Sequence, residues 1–158
     1  MRWIWIDAFI EFEPGKRATA VKNVTLAEEH LHDYAPGYPL MPPSLMIEGM
    51  AQTAGILVGE ARGFRENVIL AKVRRASFDE YAVPGDRITY TAVVEMLDDS
   101  AAGTRGEVLR NGKRIGEVDL LFSHVNQSTA ELELPDHNFV FGESFLGLLK
   151  TYRLQRRE

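Results

Sequence analysis

One carboxylate, Glu48, stands inside a long apolar run, "LMIEGMAQTAGILV". Burying a carboxylate among apolar side chains costs free energy, so a residue of this kind usually has a partner or a chemical task. Gln52 follows four residues later, and on a helix that spacing places both side chains on one face. A carboxyl group held in this way could exchange a proton with a reacting oxygen, as a general acid or base.

The segment before this run, "HLHDYAPGYPLMPP", offers partners for that proton transfer. His32 and Tyr34 are two residues apart, and in an extended loop they face the same side, about 6–7 Å apart along the chain. His32 could act as a base, and Tyr34 could hydrogen-bond a substrate hydroxyl or carbonyl through its O–H. Each also has a plainer interpretation: His32 as a loop histidine facing water, Tyr34 as a filler of space. His30 is a weaker candidate, and His124 and His137 are expected to be structural or exposed.

Composition excludes several classes of protein. The chain has 158 residues, a net charge of -5 and no cysteine, so disulfides and thiolate chemistry are ruled out and an acidic balance argues against nucleic-acid binding. No apolar run reaches the roughly 18 residues of a membrane span. The amino-terminal stretch is interrupted at Asp7 and is a poor signal peptide. We expect a soluble cytoplasmic protein that binds neither nucleic acid nor membrane.

The pattern of elements predicts an α+β domain. Trp3–Phe12 and Arg17–Thr25 are expected to be strands around a Pro-Gly turn, and residues 26–43 an irregular link. A buried helix is predicted from Leu45 to about Glu60, with Ser44 as its cap. The later strands are expected in an antiparallel meander that wraps the helix. They are "NVILAKV", "RASFDEYAV", "RITYTAVVEML", "GTRGEVLR" and "RIGEVDLLFSHV", with a hairpin at Asn111–Gly112.

The character of the chain changes at residue 126. A polar stretch is followed by "FGESFLGLLKTYRLQRRE", which is typical of a helix with a basic end. The sequence therefore predicts one domain over residues 1–125 and a C-terminal extension, residues 126–158, that ends in a helix.

Several stretches together resemble the hotdog-fold 3-hydroxyacyl-ACP dehydratases of fatty-acid synthesis, the FabZ type. They are "AVKNVT" before the loop, "PGYPLMP" leading into the helix, "EGMAQTAGIL" within it and "SFDEYAVPGD" beyond it. The resemblance implies a curved antiparallel sheet around a central helix, a homodimer (or a larger oligomer of dimers) and no metal or redox cofactor. It also implies thioester substrates on acyl carrier protein or CoA, bound in a tunnel at the dimer interface.

The family uses a loop histidine as base, a helix carboxylate from the other subunit, and a backbone N–H at the start of the helix that polarises the thioester. Glu48 stands at the carboxylate position, with Gln52 beside it, and Gly37 and Pro42 match the loop that would contact substrate. Tyr34 occupies the histidine position, in "YAPG" where the family has "HFPG". Pro43 replaces the usual glycine and has no N–H to donate to the oxyanion site.

These matches and departures favour a dehydratase of 3-hydroxyacyl thioesters in fatty-acid or related acyl-chain synthesis. Glu48 would be one proton-transfer group, and Tyr34 or His32 the other. Two alternatives stay open on the same fold. One is an acyl thioesterase, in which the carboxylate directs a water. The other is a non-catalytic protein that binds acyl-ACP or lipid and has lost the base.

Overall fold

The structure is a computed structural model that describes residues 3–35, 37–125 and 140–155, without the side chains of residues 32, 33, 144, 145 and 153–155. Two strands are followed along the chain by two helices, four further strands and a last helix. In chain order they are β1 (Ala8–Glu13), β2 (Arg17–Asn23), α1 (His30–Asp33), α2 (Pro43–Ala61), β3 (Asn67–Phe78), β4 (Arg87–Leu97), β5 (Ala101–Arg110), β6 (Lys113–Val125) and α3 (Glu143–Gln155).

The six strands form one antiparallel sheet in the order β1-β2-β4-β5-β6-β3. Alternate residues of the central strands are buried, among them Tyr90, Ala92, Val118 and Leu120, because successive side chains of a strand point to opposite faces. The buried side chains belong to the same core as α2. A sheet folded around one long helix is the hotdog fold, and the predicted architecture is confirmed.

Helix α2 is buried along most of its length, as its apolar sequence predicts. Its bounds match the predicted helix to within a few residues, but the predicted cap is wrong. Pro42 precedes the helix and Pro43 is its first residue, so Ser44 lies inside the first turn and caps nothing. Proline suits that first position because the N–H it lacks would have no partner within the helix.

Three further expectations differ from the structure. Trp3–Asp7 is not part of a strand, whereas β3 is a single strand of 12 residues where two short ones were expected. The link before α2 contains the four-residue helix α1. The hairpin at Asn111–Gly112 is confirmed, with φ angles of 52° and 85° that suit a tight two-residue turn. Over the residues described, every helix is too short or too polar to cross a membrane.

The predicted terminal helix is present as α3, which packs beside strand β1 at one edge of the sheet. The Phe12 N–H of β1 donates to the Tyr152 hydroxyl at 3.0 Å. Leu149 and Tyr152 are buried in the same core as α2. Residues 126–139, with His137, lie outside the described residues.

Candidate active site

A cavity of about 300 Å³ lies along one side of α2. Its helix wall consists of Glu48, Ala51, Gln52, Gly55 and Ile56. Their spacing of three and four residues is that of a single helical face. The helix therefore presents one carboxylate and one amide near the start of an otherwise apolar surface.

The other walls come from parts of the chain far away in sequence. Val68 and Leu70 of β3 and Phe122 of β6 face the helix, and Phe122 pairs with Leu70 in the sheet. Trp3, Val140 and Phe141 complete the lining. Trp3 is largely exposed, whereas Phe122 and Phe141 are buried, so the cavity leads from the surface into the core.

Glu48 and Gln52 are brought together, as their spacing predicts. The Gln52 Nε2 donates to Glu48 Oε1 at 2.9 Å and to the Trp3 carbonyl at 3.1 Å. Gln52 Oε1 accepts a hydrogen bond from the backbone N–H of Trp5 at 2.8 Å, which fixes the orientation of the Gln52 side-chain amide. One oxygen of the half-buried Glu48 is thus held by a positioned donor, and a carboxyl group of this kind can act as a general acid or base.

The loop residues that the sequence singles out lie elsewhere in this single chain. Tyr34 is 54% exposed, and Gly37 is exposed with a φ of 81°, in the left-handed region that favours glycine. Pro42 is buried, and Pro43 begins α2. These four are not among the described residues that line the cavity. His32 is in α1, and its side chain lies outside the described atoms.

Among the lining residues that the sequence does not single out as site residues, Trp3 and Phe141 are the most unexpected. Trp3 is predicted to belong to a strand, yet its carbonyl accepts a hydrogen bond from the Gln52 side chain and the residue lines the cavity. Phe141 belongs to the predicted C-terminal extension, in which the sequence singles out no site residue. Its position after a polar stretch gives no sign of its contact with α2, because that contact joins distant segments.

His30, at the start of α1, anchors the segment that leads to Tyr34. Its ring packs edge-on against Trp5, with the ring centroids 4.8 Å apart. Its Nε2 is buried and has no hydrogen-bond partner among the described residues. Burial lowers the pKa of His30, the nearby Glu28 carboxylate partly opposes this, and Lys22 adds to it. The fold therefore favours the neutral ring.

This placement predicts a loss of stability in mild acid. The unfolded chain takes up a proton at His30 near the ordinary pKa of about 6.5, while the folded chain binds fewer protons there, so the free energy of unfolding falls as pH drops below that value. In His30→Gln we expect the free energy of unfolding to fall less between neutral and mildly acidic pH. Urea unfolding of both proteins in neutral and mildly acidic buffer measures it, and equal slopes against pH would contradict the prediction.

The sequence of the chain is similar to one known domain family and to dehydratases within it. The FabA-like domain family matches residues 3–119. The 3-hydroxyacyl-[acyl-carrier-protein] dehydratase FabZ of Listeria monocytogenes is 30% identical over 122 residues, which cover 77% of this chain and 85% of that protein. The protein of the same name from Clostridium acetobutylicum is 34% identical over 118 residues, covering 74% and 84% of the two chains.

Solved structures resemble the chain at lower sequence identity. The dehydratase heterocomplex ApeI:P of Xenorhabdus doucetiae superposes with a TM-score of 0.67 and 17% identity, over 80% of this chain and 86% of that one. A Streptococcus mutans protein bound to acetyl CoA gives a TM-score of 0.60 and 12% identity, over 75% and 88% of the two chains. The fold is shared with both, and the family follows from the sequence match: this chain belongs to the FabA-like domain family of hotdog proteins.

Proposed function

We propose that the protein is a dehydratase that converts 3-hydroxyacyl thioesters into trans-2-enoyl thioesters. The observation that carries the proposal is the Glu48 carboxylate, held by Gln52 at the start of an otherwise apolar cavity. An acyl chain suits apolar walls, because burying its methylene groups is favourable. The reacting end of the substrate would then lie beside Glu48, the one ionisable side chain among the described residues of that lining.

The reaction needs two proton transfers. A base removes a proton from the carbon next to the thioester carbonyl, and the electron pair forms the double bond to the neighbouring carbon. The bond from that carbon to its hydroxyl oxygen breaks, and Glu48 in its acid form supplies the proton with which the hydroxyl leaves as water. Glu48 ends as a carboxylate, which accepts the donor hydrogen of Gln52.

The base would come from a second copy of the chain. Strand β3 lies at one edge of the sheet and pairs with β6 on its inner side. Three apolar side chains of β3 are between 37% and 40% exposed: Ile69, Leu70 and Val73. A long edge strand of this kind is a template for pairing with another chain. Because Leu70 also lines the cavity, a homodimer formed through β3 would place the second copy next to Glu48, where its Tyr34 or His32 could act.

The acyl group would be carried by acyl carrier protein or by CoA. Two relatives are named as dehydratases of acyl-carrier-protein thioesters, and one structural neighbour is bound to acetyl CoA. Lys72, Arg74 and Arg75 are exposed on β3, and Arg75 pairs with Glu117. These cations could meet an acidic carrier surface beside the cavity.

A second candidate function is favoured by two observations, one in the loop before α2 and one at the first residue of that helix. Tyr34 carries a phenol where the family has an imidazole, and a phenol is a poor base at neutral pH. Pro43 has no N–H with which to polarise the thioester. Both features suit a protein that binds acyl thioesters without converting them. Thioester hydrolysis, with Glu48 directing a water, needs neither group.

One assay separates the three functions. Purified protein is incubated with crotonyl, 3-hydroxybutyryl and butyryl thioesters, while the absorbance of the enoyl product and the release of free thiol are followed. Reversible interconversion of the first two, without thiol release, is the expected result. Thiol release from all three would identify a thioesterase. Binding without either reaction would identify the non-catalytic protein.

A further inference from the structure

We propose that Phe141 forms the inner end of the cavity and limits the length of the acyl chain that the protein accepts. The inference rests on the proposed function, because it concerns which substrates the same site selects. Phe141 lies beyond residues 3–119, the part of the chain that matches the family. The limit on chain length would thus come from the C-terminal extension and not from the family domain.

The depth of the cavity follows from its helix wall. Glu48 and Ile56 are eight residues apart along α2, which at a rise of 1.5 Å per residue is about 12 Å. Burial increases in the same direction, from the half-buried Glu48 to Ile56, which is 1% exposed. Phe141 lines the cavity and is 7% exposed, so it belongs to the buried end.

Gly59, less than one turn beyond Ile56, makes room for the Phe141 ring. A Cβ atom built on Gly59 would lie 2.6 Å from Cε2 and from Cζ of Phe141, which is closer than packed atoms approach. The ring is therefore seated directly on the helix backbone. An acyl chain that lies along the helix from Glu48 would meet the ring after Ile56.

Neighbouring residues also hold the Phe141 ring from the side. The ring must be fixed in place if it is to limit the length of the acyl chain. Phe64 packs edge-on against Phe141, with centroids 5.1 Å apart. The neighbouring Val140 N–H donates to Asn67 Oδ1 at 3.4 Å. Since displacing a well-packed side chain costs free energy, further methylene groups of a long substrate would remain outside the cavity.

The test measures binding separately from turnover. Thioether analogues of butyryl, octanoyl and palmitoyl pantetheine cannot be hydrolysed, and calorimetric titration gives their dissociation constants. In Phe141→Ala we expect the palmitoyl analogue to gain at least about tenfold in affinity relative to the butyryl analogue, since burying about two more methylenes gives that factor. Phe141→Leu, a milder change to the core, should shift the ratio in the same direction by less.

Tyr152→Phe is the matched control. It alters α3 at its contact with β1, away from the cavity, and should keep the wild-type ratio of affinities. An unchanged ratio in both Phe141 variants overturns this inference while leaving the proposed function in place. If the folded wild-type protein binds none of the analogues, the proposed function fails and the inference fails with it.

Discussion

Replacing Glu48 by glutamine is expected to lower the rate of enoyl-thioester hydration and of the reverse dehydration by about 10²- to 10⁴-fold, the usual contribution of a general acid or base. Glutamine has nearly the same shape, and its Oε1 can still accept the Gln52 hydrogen bond. It cannot carry the transferred proton. The loss should therefore appear in kcat, with substrate affinity little changed.

Glu60→Gln is the matched control for this variant. Glu60 lies on the same helix and is not among the described residues that line the cavity. We expect it to retain the wild-type rate. Steady-state kinetics with crotonyl thioester would measure all three proteins, and a Glu48→Gln protein as fast as the wild type would remove Glu48 from the proposed reaction.

Gly49→Ala is expected to destabilise the fold by about 1–3 kcal/mol, the range for forcing an extra methyl group into a packed core. A Cβ on Gly49 would lie 2.5–2.7 Å from Cζ, Cε2 and the hydroxyl oxygen of Tyr90. Tyr90 is fully buried, so its ring has little freedom to move away. Burial also raises the pKa of Tyr90, which keeps the hydroxyl neutral.

Gly55→Ala makes the same chemical change on the same helix and should have the opposite effect. The nearest atom to a Cβ there is Cε1 of Phe122 at 3.6 Å, an ordinary contact. Alanine in place of glycine inside a helix then stabilises by about 0.5–1 kcal/mol. Urea unfolding of both variants measures the difference, and a change of the same sign in the two would contradict the steric explanation.

The fold was largely predictable because its strongest local signals agree with one another. The apolar run from Leu45 is bounded by prolines and glycines, and it forms the central helix. The Asn111–Gly112 pair forms the hairpin between β5 and β6. Glu48 and Gln52 share a helical face, as their spacing requires, and are joined by a hydrogen bond.

Where the prediction failed, the deciding contacts join distant segments. Trp3 and Trp5 look like strand residues, but their backbone groups bond to the Gln52 side chain instead of to a neighbouring strand. The Phe141 ring packs on Gly59, which lies 82 positions earlier in the chain, and no local sequence pattern reveals this contact. The stretch of exposed cations from Lys72 to Arg75 spans the expected boundary between two short strands, yet it lies within one continuous strand at the sheet edge.

The two edges of the sheet differ in a way that bears on assembly. At β1, the Tyr152 hydroxyl of α3 occupies the Phe12 N–H, and a bulge between Phe9 and Glu11 disturbs the strand. Strand β3 also has irregularities in its pairing with β6, between Leu70 and Lys72 and between Val73 and Arg75, but at 12 residues it is twice as long as the six-residue β1. Association through β3 would use up the open edge of both copies and leave the obstructed β1 at each end. A sheet formed in this way would end at two copies and would offer no open edge for the stepwise addition of further copies.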